Sequence, residues 1–257
     1  MKRLPRRLRY GEEASLVEHL DELRSRIIVV LVVLALCTIV TFVFHDQLLS
    51  WLTHPLPAGR RKLATFGVAE PFTTSLAVSV YAALVITLPI VLWQTWAFFA
   101  PAVEEHAQRT VVSLVAFATV LAGAGLVFGY FIVLPRALHF LTTWDSNHFD
   151  IQIRASYYLS FASTVLLAMV LIFEVPIVIL GLVRTGALSS RTLRRNRRWG
   201  YFIVAVIVLG LPGPDFVTTA FELIPMWVLF EASIWLAVWV ERRSQPLREP
   251  LGAGGES

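Results

Sequence analysis

Carboxylates in unusual settings are the groups in this sequence best placed to do chemistry. Glu174 stands alone in the apolar stretch from Val165 to Val183. Two residues on comes Pro176, whose ring removes a backbone donor and so frees the carbonyl of Ile172. A carboxyl and a freed carbonyl at one depth make a polar spot in hydrocarbon. A charge there costs roughly 2.5 to 3.5 kcal/mol, so Glu174 must face protein or water, or carry a proton. Two roles stay open for it, a functional polar site and a neutral acid bonded to a neighbouring helix purely for packing. Asp215, Thr219 and Glu222 follow i, i+4, i+7 spacing, which sets them on one helical face. Glu231, nine residues beyond Glu222, is turned by about 180° and lies off that face. Further acids stand beside apolar runs, at Glu18, Asp21 and Glu22 and at Glu104 and Glu105.

The usual catalytic constellations are missing from the sequence. The histidines at 19, 45, 54, 106, 139 and 148 are never three or four apart, so no helical metal pair is expected. Cys37 is the single cysteine, which excludes an internal disulfide or thiolate metal site. No glycine loop ends in Lys-Ser or Lys-Thr, and no nucleophile and base stand at useful spacing. The expectation is a non-enzymatic protein without metal or cofactor.

The elements that must position these acids are membrane helices. Of the 257 residues 56% are hydrophobic and 16% charged, and the mean hydropathy is +0.68, well above that of a soluble domain. Uncharged runs long enough to cross a bilayer cover Ile27 to Phe44, Phe72 to Phe98, Thr110 to Leu134 and Phe161 to Val183. The run Gly200 to Leu211 reaches roughly 18 Å into a core about 30 Å thick, too short to cross untilted and unaided. Pro212, Gly213, Pro214 and Asp215 then signal a turn before Phe216 to Val240 returns. We read 200 to 240 as a helical hairpin with a short first arm, a re-entrant pair being the alternative. Gly125 and Gly129 make a GxxxG that would let another helix approach closely.

The expected fold is an all-α polytopic membrane protein with six transmembrane helices. Residues 1–26 form an N-terminal cytoplasmic segment, 27–240 the transmembrane domain, and 241–257 a disordered cytoplasmic tail. With six spans, 17 arginines and lysines fall on the side of both termini and five on the other, which places both termini in the cytoplasm. The basic balance follows from that asymmetry and calls for no nucleic-acid partner. Ile27 to Phe44 is too long for a signal-peptide core, and no cleavage pattern follows it.

Several ordered motifs carry a family resemblance. His19-Leu20-Asp21-Glu22-Leu23-Arg24-Ser25-Arg26 resembles the HLxELRxR opening of TatC, the multi-spanning subunit of the twin-arginine protein translocase. Pro71 in AEPF, WQTWAFFAPA (93–102), FGYFIVLP (128–135), YLSF (158–161), FEVP (173–176), PGPD (212–215) and IPMWVLFE (224–231) follow in order. The resemblance implies a cup-shaped scaffold that binds twin-arginine signal peptides of folded cargo at the cytoplasmic face of a bacterial inner membrane. It also implies single-span partners of the TatA and TatB type, a homo-oligomeric complex, and transport driven by the proton-motive force. By resemblance, Glu22, Arg24 and Phe98 fall in the peptide-binding set, and Glu174 and Tyr130 among the intramembrane polar groups. Adjacent arginines in a ligand are best held by carboxylates, for which Glu18, Asp21, Glu22, Glu104 and Glu105 are at hand.

This chain also departs from the family pattern. Ala107 stands where these proteins usually have a peptide-contacting glutamate, and Glu104, three residues earlier, would share a helical face with it and could substitute. Thr218 and Thr219 replace a Ser-Gln pair, while Glu222 appears at a usually apolar position. Asp215, Thr219 and Glu222 are therefore expected to form a replacement docking strip for a partner helix. The alternative function is a proton-coupled small-solute transporter using Glu174 and Glu222 as a relay.

Overall fold

The computed structural model describes residues 16–57, 61–99, 107–143, 152–184, 188–209 and 216–244, which are helical apart from short connections and one isolated bridge between Ala64 and Arg154. Five helical stretches are long and apolar enough to cross a membrane: His19–Val43, Glu70–Phe98, Val112–Thr143, Ala155–Arg184 and Glu222–Glu241. The two expected arms of the hairpin are α9, Arg197–Leu209, and α10, Phe216–Ser244. With 13 residues α9 rises about 20 Å, and it is not among the five. Their expected turn lies outside the described residues.

Helices α1, Leu16–Val43, and α3, Glu70–Phe99, run antiparallel. Thr41 Oγ1 near the end of α1 donates to Ser79 O at 2.9 Å, and Phe42 meets Phe72 edge-on at 5.9 Å. At the other end Arg26 reaches the carbonyl of Ala97. The first helix begins eleven residues before the expected Ile27, so the HLDELRSR segment is helix continuous with the first span.

Between α1 and α3 lies α2, His45–Thr53, a short helix that no apolar run announces. Its last carbonyls have no partner within the helix. Two tyrosines supply one. Tyr130 OH donates to Trp51 O at 2.9 Å, its ring stacked on the Trp51 indole at 4.0 Å, and Tyr158 OH donates to Leu52 O at 2.7 Å.

The third span runs past its expected end at Leu134. Helix α4, Ala107–Phe128, passes through a π-helical turn, Gly129–Val133, into α5, Leu134–Thr143. Pro135 has no N–H to give to the carbonyl four residues back, and the turn before it widens until Leu134 N–H reaches Gly129 O.

Helix α6, Ala155–Phe173, is the centre of the bundle; Ala162, Val165, Met169 and Val170 have no exposed surface. The GxxxG pair faces it. A Cβ on Gly125 would lie 2.7 Å from Met169 O, and one on Gly129 3.0 Å from Met169 Cγ, so α4 rests on α6 at a distance only glycine permits. Gly200 does the same for α9 against Phe230 of α10, where a Cβ would come within 2.1 Å of the ring.

Candidate functional site

At one end of the bundle the start of α1 meets the end of α3. Glu22 and Arg26 are one helical turn apart, so their side chains lie on one face. Arg26 Nε, at 3.1 Å, and Nη2 both donate to Glu22 Oε1. Nη1 donates to Gln94 Oε1 at 3.0 Å and Nη2 also to Ala97 O at 3.0 Å. Ala97 belongs to the last turn of α3, whose carbonyls lack helical partners and welcome a cation. Arg26 thus caps α3 and fixes Glu22, whose second oxygen, Oε2, accepts no bond among the described residues. One turn before Glu22, His19 stacks on Phe98 at 4.3 Å. Histidine, carboxylate and aromatic ring are therefore assembled from two helices into one half-exposed patch.

Of the expected peptide-binding residues, the structure brings Glu22 and Phe98 together. Arg24 and Asp21 point outward from α1 and are exposed. Glu18 lies in the first turn of α1, and Glu104 and Glu105 lie outside the described residues. Sequence reasoning missed His19 as a ring partner and Arg26 as the cap, although both stand within the quoted motif.

In mid-span, Glu174 sits at the break between α6 and α7, Val175–Arg184. Its N–H closes on Leu171 O at 3.1 Å, and its own carbonyl accepts from Ile177 at 3.0 Å and Val178 at 3.1 Å. The Ile172 carbonyl, expected to be orphaned by Pro176, is approached by the same Glu174 N–H. The carboxyl is 4% exposed, and neither oxygen has a hydrogen-bond partner among the described residues.

Of the expected docking strip, the structure describes Thr219 and Glu222. Glu222 is 4% exposed. It heads the side of α10 that continues through Met226 and Phe230, both buried in the central apolar cluster. Spacing sets Thr219 and Glu222 along one side of α10, but at Glu222 that side turns inward because the same register carries the buried Met226 and Phe230. Thr219 is half-buried, and Asp215 lies outside the described residues. Off the face, Glu231 accepts from Tyr201 OH and pairs with Arg197 at 3.5 Å, which ties α10 to α9. Tyr130 is also turned to an internal task, as the cap on α2.

A second polar centre, at the far end from Glu22, was not foreseen. Glu70 accepts from Phe66 N at 2.9 Å and Gly67 N at 3.2 Å, and from Arg154 Nε at 2.8 Å and Nη2 at 3.2 Å. The Glu70 carboxylate beside it pushes the Arg154 guanidinium above its ordinary pKa. Arg154 lies over the rings of Phe66 and Tyr157, at 5.6 and 4.9 Å. The AEPF motif held Glu70; nothing local could name a partner 84 residues away.

The fold and these sites define a polytopic helical membrane protein with a buried mid-span carboxyl and an acid held ready at one end. Residues 18–225 match the family described as Sec-independent protein translocase protein (TatC). The chain is 33% identical over 242 residues to the Bacillus subtilis Sec-independent protein translocase protein TatCd, covering 94% of this chain and 98% of that one. To Escherichia coli TatC it is 32% identical over 251 residues, covering 94% and 95%. A crystal structure of the twin arginine translocase receptor TatC superposes with a TM-score of 0.78 at 29% identity, over 87% of this chain and all of that one. The chain belongs to the TatC family and is a component of the twin-arginine protein translocase, not an enzyme.

Proposed function

We propose that this chain is the receptor and scaffold subunit of the translocase, holding twin-arginine signal peptides on the face built from the start of α1 and the end of α3. One observation carries the reading: Arg26 fixes Glu22 against α3 beside the His19–Phe98 stack and leaves one carboxylate oxygen without a partner among the described residues. A peptide guanidinium can take that oxygen, and Phe98 offers the flat apolar surface on which a guanidinium or an apolar side chain rests. Lysine has no fork and is the poorer ligand. Glu18, Arg24, Glu104 and Glu105 extend the same end in sequence and complete the peptide site.

The same reading places the protein in a bacterial cytoplasmic membrane with both termini inside, in keeping with the arginine and lysine count. Single-span partners of the TatA and TatB type meet it in the bilayer, and the Glu174 carboxyl, buried and without a hydrogen-bond partner among the described residues, serves one of them where the helices around it part. Asp215 and Thr219 contribute from the hairpin, while Glu222 is reached only by a helix that parts α10 from the core. The complex contains further copies of the chain, and the proton-motive force drives export. Co-purification with a twin-arginine precursor and with its twin-lysine version tests the receptor role. Retention of the first only is expected; equal retention would sink it.

A further inference from the structure

The segment from residue 184 to 199 carries six arginines, placed between the end of α7 and the first turn of α9, with α8, Ser190–Arg195, between them. Arg197 is neutralised by Glu231 at 3.5 Å. Arg191, Arg194 and Arg195 stand at i, i+3, i+4 on α8, and Arg198 follows in the first turn of α9. All four are exposed, and none has a carboxylate partner among the described residues. Glu241 of α10, which packs on α8, is otherwise engaged: it accepts from Ser190 N at 2.7 Å and from Ser190 Oγ. The Ser189 side chain caps the helix by accepting from Thr192 N at 3.1 Å. The short helix is thus pinned to α10 with its basic side outward.

What lies beyond the arginines is apolar. Trp199, Phe202, Ile203 and Val206 are exposed and follow i, i+3, i+4, i+7, one stripe along α9. The opposite side of α9 is closed against α10 through Gly200 and Tyr201, so the stripe faces hydrocarbon. Trp199 stands at its head, where an indole sits at the boundary between headgroups and acyl chains. Guanidinium groups, an indole and an aliphatic stripe in that order match a phospholipid from headgroup to tails. An acidic protein or a nucleic acid would meet the arginines but would leave the stripe unexplained.

We propose that Arg191, Arg194, Arg195 and Arg198, with Trp199 and the α9 stripe, form a binding site for an anionic phospholipid. Its phosphate and negative headgroup lie among the guanidinium forks, and its acyl chains run along Phe202, Ile203 and Val206. The lipid fills the hydrocarbon face of a helix too short to span the bilayer.

Native mass spectrometry of the full chain in mild detergent, titrated with phosphatidylglycerol or phosphatidylcholine, tests the site. The unaltered chain should retain phosphatidylglycerol in preference. Arg191→Gln, Arg194→Gln and Arg195→Gln together should weaken that retention on the order of a hundredfold, since each such charge near an anionic surface contributes about one factor of five. The same three positions changed to lysine should keep most of the preference, and Arg136→Gln, at the far end of the bundle, should leave it unchanged. An equal affinity for phosphatidylcholine overturns the proposal. So does an undiminished preference in the glutamine variant, or displacement of the lipid by a short RNA or an acidic peptide, which marks a general polyanion patch. Matching unfolding temperatures of the glutamine and lysine variants would exclude a folding defect as the cause of lost binding.

Discussion

Replacing Gly125 by alanine should loosen the α4–α6 contact on which the position of Glu174 depends. The added Cβ would stand 2.7 Å from the Met169 carbonyl oxygen and 3.0 Å from Phe173, the residue before Glu174. The carbonyl is backbone and cannot swing aside. Opening 2.7 Å to an ordinary 3.4 Å contact separates the helices locally by 0.7 Å. A gap of that size forfeits about a quarter to a half of each affected dispersion contact. Overpacking of this kind costs about 1 to 3 kcal/mol, against a gain of at most about 1 kcal/mol from alanine's helix propensity. Gly123, two residues earlier on the same helix, has nothing within 4 Å of its Cβ position. Gly123→Ala should therefore be neutral or slightly stabilising; the propensity gain is common to both variants, so they should differ by the overpacking cost, about 1 to 3 kcal/mol. Thermal unfolding of both in one detergent, together with export of a reporter, measures this. Equal stability of the two, or a larger loss for Gly123→Ala, would refute the close contact.

Other outcomes follow from the same geometry. Glu174→Leu should raise the chain's own unfolding temperature, because an unpartnered carboxyl in hydrocarbon is costly, while abolishing export; a drop in stability would mean that the carboxyl has a partner after all. Tyr158→Phe should cost about 1 kcal/mol by leaving the Leu52 carbonyl unpaired, and Tyr130→Phe a similar amount, both read as unfolding shifts without loss of peptide binding. Arg154→Gln should speed amide hydrogen exchange at Phe66, Gly67 and Ala155 and leave the opposite end of the bundle unaltered. Arg26→Lys keeps the charge but loses the fork, and should weaken twin-arginine peptide binding more than it weakens folding.

The architecture was legible where a long apolar run left the sequence no choice. The four long spans and the short fifth arm follow from run length; at Pro176 the missing donor predicts an orphaned Ile172 carbonyl inside one span, whereas the chain breaks there into α6 and α7. The GxxxG in the third span was read as a close helix contact and packs on α6. Helix α2 escaped notice because its nine residues, HDQLLSWLT, are neither apolar enough to span nor marked by a cap. The continuation through Pro135 escaped because a proline ordinarily ends a helix, and the π turn that admits it depends on neighbours. Glu222 shows the limit of periodicity: spacing says which residues share a face, whereas the direction of that face is set by the buried Met226 and Phe230 beside it. The Glu70–Arg154 pair and the Arg26 cap join residues far apart in sequence, which no local pattern can announce.

The most direct measurement of peptide recognition places a photo-crosslinking amino acid at position 98, and in a second protein at position 66 on the far end of the bundle, in the presence of a radiolabelled precursor. The account predicts an adduct from position 98 with the twin-arginine precursor, little with its twin-lysine version, and none from position 66. Adducts of equal yield with both precursors at position 98, or a twin-arginine adduct arising from position 66 instead, would contradict it.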